Sequence, residues 1–538
     1  MNSNGKSRFR SGAARPNIAA TVGLALSAFL CGPAMSAADA APGAGRVVHA
    51  QSGSLRGLLI QGGPGAVFKG VPYAQPPVGA LRWREPLPME PWSGVRDALR
   101  SGPPAAQASL KWNDAMAAAS SEDCLYLDVW TPRPENAAGL PVMVWFHGGG
   151  HVGGSGGFDP LYDGTQMIRR GVILVVVEFR LGVFGFFSHP ELSRESAHGT
   201  SGNYGILDQV AALKWVRANI ASFGGDPAKV TIFGESAGSI DVTALMTSPL
   251  ADGLYRGAIA ESGAVFRNAG SAPAQAEHAG VEFARRLKAP ETGTIAYLRS
   301  LPGAEVLGAG PGFLGMTIDG WVFPRSPYDS WKEGHEAHVP VIIGFNGVEI
   351  AAPGPAAKVA EAISKTFGDL APRALALYGL APVSAAAAQD PVYGDVAEQW
   401  GSDSFRSTGI LFCDWHSRSG AHVWSYEFDR AIPPHPRSSH GCEMPYVFGN
   451  MDLGNSNLAG DFNDIDRALS SQVQAYWANF AKSGAPDGDG LPEWPAYDGN
   501  GRRFLRVTPD GRIVADADER APYMALFREL DASSGVKP

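Results

Sequence analysis

Five short runs of apolar, largely β-branched residues punctuate the chain: Val142–Phe146, Val172–Val177, Val230–Phe233, Ala258–Ala260 and Val339–Ile343. Each ends in a glycine-rich or polar turn. Continuous apolar runs of this length are the pattern of strands buried on both faces of a parallel sheet. Between the second and third run the period changes: Val210, Leu213, Val216, Ile220 and Phe223 recur at spacings of three and four, which predicts a helix over 208–223. Gly224-Gly225 stops it and Pro227 follows, as beyond a helix C-terminus. Strand, helix, strand in this order implies an α/β fold, a mostly parallel central sheet with helices on both faces. The Ala- and Pro-rich stretch from 351 to 407 has helical patterning and predicts helical insertions around the site mouth.

Composition fits this picture. The chain has 538 residues, 45% apolar and 18% charged, enough for a large buried core and without the polarity of a disordered protein. With no Pro/Ser-rich linker and no internal repeat, one catalytic domain over 41–538 is expected. Residues 1–40 read differently. Lys6, Arg8, Arg10 and Arg15 precede an apolar run from Ile18 to Leu30, and small residues follow up to Ala38-Asp39-Ala40. This is the layout of a signal peptide cleaved near Ala40, and it predicts a secreted or periplasmic protein. The run is shorter than the roughly 20 residues a membrane span needs, so no stable span is expected after cleavage. Leu30 occupies the place where a lipoprotein signal at Cys31 would want a small residue, and no twin-arginine pair is present. The formal charge is −9, and removing the basic leader makes it more acidic. With Lys and Arg dispersed, neither nucleic acid nor an anionic membrane is an expected partner. Beyond the leader lie Cys124, Cys413 and Cys442, an odd number that permits at most one internal disulfide.

Chemistry enters with Gly234-Glu235-Ser236-Ala237-Gly238, placed directly after the run Val230–Phe233 and before a helix-compatible stretch. A strand that turns this sharply into a helix leaves no room for bulky neighbours. The glycines therefore flank the serine, and its hydroxyl stands exposed at the strand end. Ser236 is the candidate nucleophile. It needs a base to take its proton and donors for the oxyanion. His147-Gly148-Gly149-Gly150 ends the run Val142–Phe146, and its bare amides, with that of Ala237 just after the nucleophile, are the candidate oxyanion hole: Gly149, Gly150 and Ala237. His147 and His151 are four apart, but they lie on no helix and have no acidic ligand near them in sequence. They read as parts of this loop, not as metal ligands. No cofactor or metal is expected, and the expected partner is a small molecule with a carbonyl open to attack, such as an ester.

At this point the chain resembles the type-B carboxylesterase family, which includes cholinesterases, bile-salt-activated lipases and bacterial esterases. The resemblance spans nearly the whole chain beyond the leader. It rests on Phe68-Lys69-Gly70-Val71-Pro72-Tyr73-Ala74, Pro76-Pro77-Val78-Gly79 with Leu81-Arg82-Trp83, Ser121-Glu122-Asp123-Cys124-Leu125-Tyr126-Leu127, and Phe223-Gly224-Gly225-Asp226-Pro227. It implies the α/β-hydrolase fold and a Ser-Glu-His triad acting through an acyl-enzyme. The family's acid follows a strand in an Asn-x-x-Glu-Gly context, which here is Asn346-Gly347-Val348-Glu349-Ile350 and implies Glu349, with Asp319 as a distant substitute. The histidine precedes a Pro-Tyr-Val-Phe-Gly stretch, here Pro445 to Gly449, and implies His440; His435 is the nearest rival.

The chain also departs from the family. Ile350 replaces the usual glycine. Gly102-Pro103-Pro104-Ala105-Ala106-Gln107 lacks the cysteine that pairs with Cys124 in many relatives, which leaves a pairing of Cys413 with Cys442 open. Glu178 stands where relatives often have Asn and reads as a member of an ion pair near the sheet. Trp112 sits much as the choline-binding tryptophan of cholinesterases does, and reads as a rim residue packing apolar substrate. The contrasting functions are a specialised esterase for a bulky natural-product ester and a non-catalytic adhesion module of the same fold.

Overall fold

The structure, a computed structural model, describes residues 45–533 apart from 62–64, 135–138, 268, 311–314, 351–355, 381–391, 433–434, 454–457, 459 and 500–502. The expected leader, 1–40, lies outside the described residues. The described residues belong to one unit.

Among the described residues its frame is a 13-stranded sheet. In chain order the strands are β1 (Arg46–Ala50), β2 (Gly53–Leu59), β3 (Ala66–Pro72), β4 (Val95–Asp97), β5 (Tyr126–Thr131), β6 (Leu140–Phe146) and β7 (Ile173–Val177). There follow β8 (Gly225–Glu235), β9 (Gly257–Glu261), β10 (Val341–Asn346), β11 (Val423–Phe428), β12 (Arg503–Val507) and β13 (Ile513–Ala517). The spatial order is β1-β2-β3-β5-β7-β6-β8-β9-β10-β11-β12-β13, with β4 beside β2. From β7 to β12 every pairing is parallel; β1, β2, β3, β5 and β13 add antiparallel flanks. The five apolar runs of the sequence are the adjacent strands β7, β6, β8, β9 and β10. They are hydrophobic throughout because helices cover both of their faces.

Successive residues of a strand point to opposite faces, so the sheet divides the core in two. Val144, Val175, Ile232 and Ile343 belong to one side, and Met143, Trp145, Leu174, Phe233 and Ile342 to the other. Burying such side chains contributes roughly 1.5–3 kcal/mol each. The predicted helix forms over Tyr204–Asn219 and continues as a 3-10 turn to Phe223, where Gly224, at a φ of 88°, ends it in the left-handed conformation. β8 begins at the next residue, so Pro227 lies within the first residues of that strand.

The segment after β10 contains helices Ala356–Phe367, Ala371–Leu377 and Val392–Arg418. Phe367 packs on Trp400 and on Phe527 of the C-terminal helix Ala521–Ser533. No described helix is long and apolar enough to cross a membrane.

The cysteines require a correction. Cys124, Cys413 and Cys442 are all buried free thiols. Cys413 belongs to one buried core cluster and Cys442 to the other, and the two are not paired. Cys442 instead donates from Sγ to Oδ1 of Asn346 at 2.9 Å.

Candidate active site

A single residue, Ser236, joins β8 to the helix Ala237–Leu245. Its φ of 55° with ψ of −120° is a strained conformation for a residue with a Cβ, held only where the surroundings dictate it. Here its N–H donates to the carbonyl of Glu261 at the end of β9 (2.9 Å), and its carbonyl accepts from Ile240 (3.0 Å). A Cβ at Gly234 would lie 2.6 Å from the backbone of Gly238, and one at Gly238 would lie 2.0 Å from the carbonyl oxygen of Phe146. Both glycines are therefore demanded by how closely β6, the turn and the helix approach. The result is a half-buried hydroxyl facing a pocket.

His440 meets that hydroxyl. Its Nε2 lies 2.8 Å from Oγ of Ser236, and its Nδ1 lies 2.6 Å from Oε2 of Glu349. Glu349 comes three residues after β10 and its side chain is fully buried. Its Oε1 accepts from the N–H of Asn346 (2.6 Å) and from Oγ of Ser262 (2.9 Å). The helix Val392–Arg418 braces the same loop: Ser402 Oγ accepts from the N–H of Glu349, and Phe405 packs edge-on against the imidazole. Ile350, which replaces the family's glycine, is exposed and leaves the carboxylate in place. Asp319 lies elsewhere, accepting from Asn203 and from the N–H groups of Trp321 and Phe323. His435 is exposed.

Directly after β6 the chain turns through Gly149 (φ 104°) and Gly150 (φ 66°). A Cβ on Gly149 would stand 2.0 Å from the carbonyl oxygen of Gly153, so only glycine fits. Among the described residues the amides of Gly149 and Gly150 donate to no backbone or side-chain group. The amide of Ala237, first in its helix, has no partner within it. Such donors, together with a helix N-terminus, suit a developing negative charge.

Two histidines of this loop turn to acids that their sequence neighbourhood does not reveal. His151 Nε2 lies 2.8 Å from Oδ1 of buried Asp241, and His147 Nε2 lies 3.9 Å from Oε2 of buried Glu178. The acid expected to form an ion pair, Glu178, instead meets His147 at 3.9 Å in a site where burial favours the neutral form of both groups. Burial pushes the Glu178 carboxyl up to about 8 and the His147 imidazole down to about 4. An ion pair next along the chain joins Arg180 to Asp208 through two hydrogen bonds of 2.8 and 2.7 Å.

Four further carboxyl-network residues converge on the imidazole. Oε1 of Glu235, the variable residue of the Gly-x-Ser-x-Gly motif, stands 3.2 Å from Nε2 of His440. Burial pushes Glu235 up to about 8, against the opposing pull of His440. Ser262 Oγ lies between Glu349 (2.9 Å) and Glu443 (3.0 Å), and Asn346 Nδ2 donates to both Ser262 and Glu443. Burial first, and then the charge of Glu349, raise Glu443. Around His440 burial opposes the charged ring, but Glu235 and Glu349 outweigh it and strengthen the ring's hold on a proton. Glu235 was visible as part of the motif but carried no separate signal. Ser262, Asn346 and Glu443 have no pattern that points to the site.

The pocket over Ser236 holds about 290 Å³ and is lined by Trp112, Met116, Leu161, Tyr162, Met444 and Leu458, with Asp159 and Glu235 as its acids. Trp112 packs against Gly149 and Gly153 and forms part of the wall.

The model of the carboxylesterase family matches residues 44–370 and 385–524. The chain is 36% identical over 473 residues to the fumonisin B1 esterase of Sphingopyxis macrogoltabida, covering 85% of each chain. It is 34% identical to the para-nitrobenzyl esterase of Bacillus subtilis, over 88% of this chain and 96% of that protein. Among solved structures it is similar to a carboxylesterase of Geobacillus stearothermophilus, with a TM-score of 0.77 and 31% identity over 89% of this chain and 99% of that one.

Proposed function

Starting from a chain that belongs to the carboxylesterase family and hydrolyses carboxylic esters as a serine hydrolase, we propose that Ser236, His440 and Glu349 are its nucleophile, base and acid. The observation that supports this reading is the unbroken hydrogen-bonded line from Ser236 Oγ through the imidazole to Glu349, at 2.8 and 2.6 Å. As Ser236 attacks the ester carbonyl, His440 Nε2 takes its proton. Glu349 keeps the ring oriented and stabilises the imidazolium. The amides of Gly149, Gly150 and Ala237 receive the oxyanion. His440 then gives the proton to the leaving alcohol. In the second half of the cycle it activates water, which releases the acid and restores Ser236.

The apolar pocket wall favours a small ester with an apolar group. The likeness to a fumonisin B1 esterase makes a bulky natural-product ester the second class to test. The deciding experiment is hydrolysis of a short p-nitrophenyl ester with organophosphate labelling. Ser236→Ala should lower kcat by several powers of ten and abolish labelling, because triad members act as a unit. Retained activity in that variant ends the assignment. We also propose that 1–40 is a cleaved export signal. Intact mass of the protein from the periplasm or medium should correspond to a chain starting near Ala41, and an uncleaved cytoplasmic product would reject this.

A further inference from the structure

Glu178 follows β7 and is buried. Its Oε1 accepts from the Ser155 hydroxyl and from the N–H of Gly157 (3.0 Å). Among the described residues its Oε2 has no hydrogen-bond partner, and it faces Nε2 of His147, which also has none there, at 3.9 Å. The other imidazole nitrogen fixes the tautomer. Nδ1 lies 2.8 Å from the carbonyl oxygen of Gly148, which can only accept, so Nδ1 carries the hydrogen and Nε2 presents a lone pair. The ring is stacked on Phe179 with centroids 4.6 Å apart. A lone pair with no donor and an oxygen with no partner thus face each other in a buried space. One proton on Oε2 makes them complementary.

We propose that Glu178 is a positioning residue that joins the two ends of the oxyanion loop: protonated on Oε2 it donates toward His147, which enters the loop, and through Oε1 it accepts from Ser155 and Gly157, which close it. The proposal rests on the reading of Gly149 and Gly150 as oxyanion donors. The charges around Glu178 agree with a neutral acid. Asp128 on β5 and Tyr73, Cys124 and Tyr162 bring no positive charge, and Arg180 is engaged by Asp208. The Tyr73 hydroxyl donates to the backbone carbonyl of Glu178, not to its side chain. Burial holds Glu178 protonated up to about pH 8 and keeps His147 neutral down to about pH 4.

The test compares native protein, Glu178→Gln and Glu178→Leu in p-nitrophenyl acetate hydrolysis across the neutral and alkaline range, with thermal midpoints alongside. Gln preserves a donor and an acceptor that do not titrate. It should keep kcat at neutral pH within a few-fold, and it should lack the alkaline decline near about pH 8 that ionisation of Glu178 is expected to give the native enzyme. Leu should lower kcat about tenfold to a hundredfold with little change in KM, as expected for mispositioned oxyanion donors. Three results would overturn the proposal: Gln falling as far as Leu at neutral pH, which means that a charged pair is needed; native and Gln sharing one alkaline limb; or Leu keeping native kcat. If Leu does not fold, the native and Gln pH profiles decide alone. Failure of the underlying oxyanion-hole reading is separate, because it appears as native kcat in Gly149→Ala.

Discussion

At the scale of single residues, the imidazole of His440 is held between carboxyls at both nitrogens. Glu349 lies on Nδ1, while Glu235 competes with Ser236 for the neighbourhood of Nε2. A carboxyl at 3.2 Å stabilises imidazolium relative to imidazole, and only the neutral ring can accept the serine proton. Activity must therefore fall as pH drops through the His440 titration, and that limb must lie above where an ordinary imidazole would put it. Glu235→Gln removes the group that can ionise beside Nε2 and keeps the shape. The acid limb of kcat/KM should then move to lower pH, on the order of one unit. An unmoved limb would mean that Glu235 stays neutral in both states of the ring. The cost of that substitution should appear in the pH profile more than in KM, since the side chain lies beside the reacting groups and not along the apolar wall.

At the scale of elements, the site depends on how tightly backbones approach one another. Gly238 faces the end of β6, and Gly149 faces the return of its own loop at Gly153. Gly149→Ala must both occupy a φ of 104° and displace a carbonyl that stands 2.0 Å away, a strain of about 1–3 kcal/mol that the loop can relieve only by moving its amides. The expected result is a loss of kcat on the order of 10²–10³ with KM and fold largely kept, measured by steady-state kinetics and far-UV circular dichroism. Local features of this kind were readable in the sequence. A strand, a glycine-flanked serine and a glycine run are each contained in a few consecutive residues. Glu349 and His440 needed the family resemblance, because nothing within their own segments says that β10 and the loop before Pro445 end at the same place. Ser262, Asn346, Glu443 and Glu178 were out of reach, because their roles come from contacts between separate strands and loops. The cysteines fail for the same reason, since a residue count cannot tell which buried cluster a thiol joins. Cys124, Cys413 and Cys442 should all resist alkylation in the native state and all react, without reductant, after denaturation; intact mass reads both states.

At the scale of the whole molecule, the buried acids couple the active site to stability. Glu178 and Glu235 hold their protons up to about 8 in the folded protein and lose them near the ordinary carboxylate value when unfolded. A group whose folded pKa is raised contributes stability below its unfolded pKa, and that contribution is lost as pH rises through the folded value. His440 acts in the same direction, because its carboxyl neighbours make it hold a proton more tightly when folded. His147 acts oppositely. Burial lowers it to about 4, so its contribution falls away as the solution becomes acid, below the ordinary imidazole value near 6.5. The exposed ion pairs add little in either direction. Between the ordinary imidazole value and about pH 8 the His147 contribution is therefore flat, while those of the two glutamates and His440 decline. Folding in this window takes up protons, and the thermal midpoint should fall as pH rises through it. Replacing both acids, Glu178→Gln with Glu235→Gln, removes two of the declining contributions. The double variant should therefore show a flatter dependence of thermal midpoint on pH and exceed the native protein at the alkaline end. Scanning calorimetry at a series of pH values reads this directly, and parallel native and double-variant curves would show that the glutamates are not the source of the slope.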